Sequence, residues 1–245
     1  MSHALRVTRS VDVALLPSEA LVMGGDCFVV VDVLRATTTA ATLFAAGLAD
    51  LVVVASIDEA RRRATSEGRL VAGEVQGRRP DGFDYGNSPV EATKAPVAGR
   101  GAVLFTTNGT AALCALSGSG SVITGAIANV SATARYADRF ERVVVVCAGN
   151  ERGQRFSLED FAAAGAICRV LSALNPDRVA GDAATFAMTV PTEAIARSEH
   201  AALLRDLGFG DDTDFALLPD SSSAVPVVTE SGEGWALLKD ASLGR

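Results

Sequence analysis

The chain has 245 residues, 49% of them hydrophobic and 21% charged, with a formal net charge of -7. That is enough apolar chain to bury a full core, and the composition excludes disorder, collagen and coiled coil. The acidic balance argues against nucleic-acid binding, which needs clustered Lys and Arg against phosphate, and the only imidazoles, His3 and His200, are too few for a His-rich zinc site or a His-relayed nucleophile.

The opening stretch MSHALRVTRSVDVALL carries Arg6, Arg9 and Asp12 where a secretory signal needs an apolar core. The longest apolar region, Leu43 to Ile57, is broken by Gly47 and Asp50 and is too short to span a bilayer. A soluble, cytoplasmic protein without membrane contact is expected. Cys27 to Val33 reads as a buried strand, followed by a helix over Thr38 to Ala46 that stops at Gly47. Leu51 to Ala55 is the next strand, and Ser56 with Glu59 forms a capping box for the helix after it. Leu70 to Ala72 and Ala102 to Thr106 are further strands, the second leading to a helix from about Gly109. Val122 to Thr124, a helix over Ser131 to Phe140, and Val143 to Cys147 continue the series. Ser157 and Asp160 cap a long helix to about Leu174.

Alternation at this spacing predicts parallel strands joined by helical crossovers, and wholly apolar strands agree with burial on both faces. Beyond Asn175 and Pro176 the pattern changes to helical stretches near 177–188 and 192–207, then short strands near 215–218, 225–229 and 235–238. The expectation is one α/β domain over 1–245: three α/β/α layers, a largely parallel sheet, and a small C-terminal helix-plus-strand extension from about residue 176. Cys27, Cys114, Cys147 and Cys168 form no C-x-x-C pair and read as buried free thiols.

Open α/β sheets bind ligands outside the carboxyl ends of their strands, and the unusual polar residues fall there. Asp32 closes an apolar run, with Arg35 three positions on. A buried charge needs a partner or a metal, so the pair is either a structural Asp32–Arg35 bridge or part of a site. Thr37, Thr38 and Thr39 put three hydroxyls at a helix start where one cap suffices, which reads as an anion cradle. Thr106-Thr107-Asn108-Gly109-Thr110 repeats the idea at another strand end. The aperiodic segment Gly73 to Pro89 is of a length that tends to be functional. It contains Glu74, Arg78, Arg79, Asp84 and Asn87, while Ser88 reads as an N-cap for Glu91. Glu159 is not needed by the Ser157 cap and is free for a site.

Oxygen ligands with few histidines suit a hard cation such as Mg²⁺. Anion cradles and arginines beside such a cation point to phosphoryl chemistry. The cysteine-phosphatase spacing is absent, because Arg152 lies five rather than six residues after Cys147. Leu34 stands where a D-x-D phosphatase needs Asp, and no G-x-x-x-x-G-K-[ST] loop occurs.

VVVDVLRATTTAATLFAAG, GFDYGNSPVEAT, TTNGTAAL and FSLEDFAAAGAI resemble the 2-phosphosulfolactate phosphatase family, known for a step of coenzyme M biosynthesis. The likeness runs from about Val29 to about Leu171, with a weaker match over GFGDDTDFALLPDSSSAVPVV. The resemblance implies an α/β, Mg²⁺-dependent hydrolase with Asp32, Arg35, Glu74, Asp84, Asn87, Asn108 and Glu159 in its site. Two stretches depart from the family's pattern. Val75 to Arg79 replaces a glycine-rich E-R-x-G run, and Glu151 to Arg155 are extra before Phe156.

The resulting expectation is a phosphatase for a small anionic phosphate ester, 2-phosphosulfolactate being first choice. Asp32 and Glu74 hold the metal; Arg35, Thr37 to Thr39 and Thr107 to Thr110 bind phosphate. Arg79 or Arg78 binds the remote anion, and Asp84 or Glu159 orients water. The alternatives are another phosphorylated hydroxy acid or sugar acid as substrate, or a non-catalytic anion-binding protein. A homo-oligomer is left open.

Overall fold

The computed structural model describes residues 9–244, so His3 lies outside the described residues. Chain order begins β1 (Ser10–Ala14), α1 (Pro17–Met23), β2 (Cys27–Val31), α2 (Ala36–Ala45), β3 (Asp50–Val54), α3 (Ile57–Glu67) and β4 (Leu70–Gly73). It continues α4 (Pro89–Ala92), β5 (Gly101–Phe105), α5 (Gly109–Leu116), β6 (Ser121–Gly125), α6 (Val130–Ala137), β7 (Arg142–Cys147) and α7 (Leu158–Leu174). The last elements are β8 (Val179–Ala180), α8 (Asp182–Ala187), α9 (Glu199–Asp206), α10 (Gly210–Ala216), β9 (Pro226–Gly232) and β10 (Trp235–Asp240). β1 and α1 add to the elements expected from sequence; Asp12 interrupts the apolar run that marks the other strands. Ser56, Ser88 and Ser157 cap α3, α4 and α7 as their spacing predicts, each oxygen accepting the N–H three residues on.

Side chains alternate across each strand, which sorts the apolar runs into two faces. Cys27, Val29 and Val31 of β2 pack with Val143, Val145 and Cys147 of β7 against α7, whose Ala162, Ala163 and Ala166 let it lie close. Phe28 and Val30, with Val144 and Val146, face α2 and α5 instead. The same second face continues through Leu51, Val53, Leu70, Ala72 and Leu104. Behind β3, β4 and β5, Ala60 of α3 covers Val52, Val54 and Val103.

The strands form one sheet in the order β4-β5-β3-β10-β9-β6-β2-β7-β1-β8. β4, β5 and β3 pair in parallel, as do β6, β2, β7, β1 and β8. Between the two parallel groups sits the β9–β10 hairpin, antiparallel to β3 on one side and to β6 on the other. The C-terminal extension therefore reaches into the middle of the sheet. It supplies two central strands.

The join to β6 is one register pair, Ile123 with Val227, and the sheet bends between β3 and β2. α5 packs on both β2 and β3, which a flat sheet would hold four strand spacings, roughly 19 Å, apart. The bend encloses α2, buried from Ala36 to Phe44. Three C-terminal expectations change. Phe215 falls in or beside α10 rather than a strand, β8 precedes α8 within 177–188, and a 3₁₀ turn (Thr192–Arg197) precedes α9. In α10 the acidic Asp211 and Asp212 lie in the first turn, where the helix dipole favours negative charge.

Candidate active site

The bend brings the carboxyl ends of β2, β4, β5 and β7 to one cavity of about 380 Å³, walled on its far side by α9. At the end of β2 the chain turns sharply into α2. Asp32 Oδ1 accepts the Ala36 N–H at 3.1 Å, so the carboxylate occupies the positive end of its own helix. Thr37 locks the turn: its hydroxyl donates to the Asp32 carbonyl at 2.9 Å and accepts the Asp32 N–H at 3.1 Å. Burial holds Asp32's carboxyl above its usual range, against the pull of the Ala36 N–H and of His200, and Glu74 nearby adds to the rise.

The end of β5 repeats the plan without the charge. Thr110 Oγ1 donates to the Thr106 carbonyl at 2.9 Å and accepts the Thr106 N–H at 3.0 Å. Gly109 meets Asp32 directly; a side chain there would put Cβ 2.6 Å from Asp32 Oδ2. Glu74, just past β4, is buried, and both its oxygens accept backbone N–H groups, from Gly77 at 2.8 Å and Thr107 at 2.7 Å. One carboxylate thus pins two loops beside Asp32.

Two basic side chains face these carboxylates. Arg35 is 3% exposed, and its partner is not Asp32 but Asp212 of α10, at 2.6 Å. The structural Asp32–Arg35 bridge is therefore corrected. Its second nitrogen donates to the Gly77 carbonyl at 2.8 Å, and the Phe209 ring lies 4.4 Å beneath it. His200, on α9, has Nδ1 3.2 Å from Glu159 Oε1. Burial opposes protonation of His200, but the Glu159 bond and the charge of Asp32 outweigh it and raise its pKa. Burial likewise pushes Glu159 up, and the His200 bond, together with hydrogen bonds from its own N–H and the Ser157 hydroxyl, more than reverses this, so its pKa is lowered. Asp160, one residue on, accepts Val33 N–H at 3.0 Å and Gly149 N–H at 3.2 Å, tying the ends of β2 and β7 together.

The expected residues divide. Asp32, Arg35, Glu74, Asn87, Thr107 and Asn108 line the cavity. Thr37 to Thr39 do not. The Thr37 and Thr38 hydroxyls serve the carbonyls of Asp32 and Val33, and Thr39 Oγ1 is buried without a partner inside α2. The anion cradle expected there is filled by Asp32 itself. Gly109 and Thr110 shape the neighbouring turn. Asp84 is exposed and accepts the Val71 N–H at 2.8 Å, away from the cavity, because the chain uses it to fasten the loop to β4. Arg79 lines an adjoining cavity of about 500 Å³ with Arg35, Lys94 and Glu91. Glu159 stands behind His200 rather than in the wall. Cys147 is fully buried, and burial pushes its thiol well up, which removes it as a nucleophile.

His200 and Asp212 are absent from the expected site, since both lie on C-terminal helices far along the chain from their partners; the GFGDDTDF string, inside the weaker family match, is the signal that could have found Asp212. The extra residues Glu151 to Arg155 form a loop closed by Asn150 N–H to Arg155 O at 2.7 Å. Its Asn150, Glu151 and Arg155 complete the cavity mouth.

The donor set fits a hard cation. Asp32 and Glu74 offer carboxylate oxygens, and Asn87, 4% exposed and lining the same cavity, has an Oδ1 with no hydrogen-bond partner. Among the described residues no cluster of three His, Cys, Asp or Glu occurs. Mg²⁺ needs fewer, since it keeps several waters and takes substrate oxygens.

A family model described as 2-phosphosulpholactate phosphatase matches residues 15–231. A protein of Deinococcus radiodurans named probable 2-phosphosulfolactate phosphatase is 41% identical over 213 residues, 83% of this chain and 88% of that protein. Proteins of the same name from Thermus thermophilus and Thermotoga maritima are 38% identical over 225 residues and 37% over 203. These alignments span 88% and 82% of this chain, and 93% and 88% of the relatives.

Proposed function

The chain belongs to the 2-phosphosulpholactate phosphatase family, and from that premise we propose that it is a Mg²⁺-dependent phosphoric monoester hydrolase whose first-choice substrate is 2-phosphosulfolactate. The observation that carries the reading is one cavity in which Asp32 and Glu74 stand against Arg35 and a His200 held by Glu159. Asp32, Glu74 and Asn87 would hold the cation, whose chemistry is to neutralise and orient the phosphoryl oxygens. Arg35 and Asn108 meet the remaining phosphoryl oxygens.

Water adds to phosphorus as the ester P–O bond breaks. His200 gives its proton to the departing alkoxide oxygen and recovers one from the attacking water, so the products are the hydroxy acid and inorganic phosphate. Glu159 holds the imidazole and offsets its charge. A loose phosphoryl transition state asks more for orientation of water than for its deprotonation. That suits a site where Asp84 is turned away and Glu159 is occupied. The distal sulfonate or carboxylate belongs in the adjoining cavity, near Arg79 and Lys94.

The test is phosphate release from 2-phosphosulfolactate with Mg²⁺, abolished by EDTA and restored by added Mg²⁺. No release from any phosphate ester in a panel would leave only the anion-binding alternative. A second reading, another phosphorylated hydroxy acid as substrate, has the leucine wall in its favour: Leu203, Leu204 and Leu207 of α9 and its C-terminus, and Leu34. The same panel decides it by rank of kcat/KM.

A further inference from the structure

Arg35 is the only guanidinium among the described residues that lines both the main cavity and the adjoining one. A flexible, buried arginine can do that only if it is held. Its restraint comes from a part of the chain that no expected site residue occupies. Asp212 Oδ2 accepts from Arg35 Nη1 at 2.6 Å, with both side chains almost wholly buried. The other carboxylate oxygen is fixed too: Oδ1 accepts the Ser88 hydroxyl at 2.5 Å and the Val90 N–H at 3.4 Å. Ser88 is itself immobilised as the cap of α4. Phe209, three residues before Asp212, packs beneath the guanidinium plane.

We propose that Asp212 is a positioning residue of the reaction: anchored to the α4 cap through Ser88, it sets the plane of Arg35 so that the guanidinium meets the phosphoryl group. A buried ion pair adds little net stability relative to apolar residues of the same shape, because both charges must be desolvated. A chain that needed only packing at this place has no use for it. Planar guanidinium donors, by contrast, recognise an oxyanion only when their fork is correctly turned. Asp212 takes an N–H of one terminal nitrogen and the Gly77 carbonyl an N–H of the other, with Phe209 against the plane, so each terminal nitrogen keeps a second N–H for a ligand. Asp212 touches neither substrate nor metal in this scheme; it acts through Arg35. The inference rests on the phosphatase reading above.

A double-mutant cycle on the intact chain separates this role from a structural one. Arg35→Ala, Asp212→Asn and the pair are compared with wild type for kcat, KM and melting temperature, using Mg²⁺ and 2-phosphosulfolactate. Asp212→Asn should lower kcat/KM about 10- to 100-fold in the wild-type background, and less than about twofold once Arg35 is already alanine. Asp212→Glu, which keeps the charge, should recover part of the loss. Equal losses in both backgrounds would show that Asp212 merely supports the fold, and overturn the proposal; wild-type kcat/KM for Asp212→Asn would do the same. Should Asp212→Asn fail to fold, Asp212→Glu and Ser88→Ala carry the same cycle. If wild-type protein releases no phosphate, the proposed function fails instead. The cycle is then read from calorimetric binding of inorganic phosphate, where additivity again overturns the role given to Asp212.

Discussion

At the end of β2, Thr37 returns its hydroxyl to the carbonyl of Asp32 and accepts that residue's N–H. At the end of β5, Thr110 does the same for Thr106. In each corner the strand-end side chain then accepts an N–H from the first turn of the helix, Ala36 for Asp32 and Thr110 for Thr106. The wiring is the same; only the first corner holds a charge. A threonine suffices to close such a turn, so the carboxylate at residue 32 contributes nothing that the turn requires, and its burial costs free energy. The comparison assigns the two corners different work. One is a joint, and the other is a joint carrying a reactive group.

The largest effect that could break this contrast is in Asp32→Asn. The variant keeps an acceptor for Ala36 and loses the charge, so Mg²⁺-dependent turnover should fall by at least about a thousandfold. Its melting temperature should stay level or rise, because a desolvated charge is gone. Turnover at the wild-type level would make the first corner no more than a copy of the second.

A smaller loss, about a hundredfold in kcat, is expected for His200→Gln. The pH profile sharpens the test. His200's raised pKa means that the proton donor is present at low pH and lost as pH rises through that value. Wild-type kcat should therefore decline on the alkaline side above the ordinary imidazole range, and His200→Gln should lack that limb. An unchanged alkaline limb in the variant would assign the proton to another group.

The smallest effects come from the hydroxyls themselves. Thr37→Val and Thr110→Val each leave a buried strand-end N–H unpaired and should each lower stability by about 1–3 kcal/mol, read by chemical denaturation. The two losses should be similar, and KM for the phosphate ester should move less than about threefold in either variant. A KM rise confined to Thr37→Val would restore the threonines to phosphate binding.

How much of this is visible in the sequence depends on how far apart the partners lie. Asp32 and Glu74 stand out because a charge following an apolar strand has only the rim to occupy. The same logic fails for Thr37 to Thr39, since counting hydroxyls does not reveal that Thr37 and Thr38 are consumed by carbonyls five residues back. Asp84 has the composition of a site residue and the position of a fastener. Asp212 is 177 residues from Arg35, and no local spacing announces that pairing. β9 and β10 show an ordinary strand pattern, which is legible, but their place between β3 and β6 is set by the bend around α2 and α5.

That hairpin is also the last part of the sheet to be translated. Every strand of both parallel groups leaves the ribosome before Pro226, so β3 and β6 wait with bare hydrogen-bonding edges, the kind that recruits stray strands. Nascent chains stalled short of β9 would hold two half-sheets with no seam between them, and would depend on chaperones to stay apart from one another.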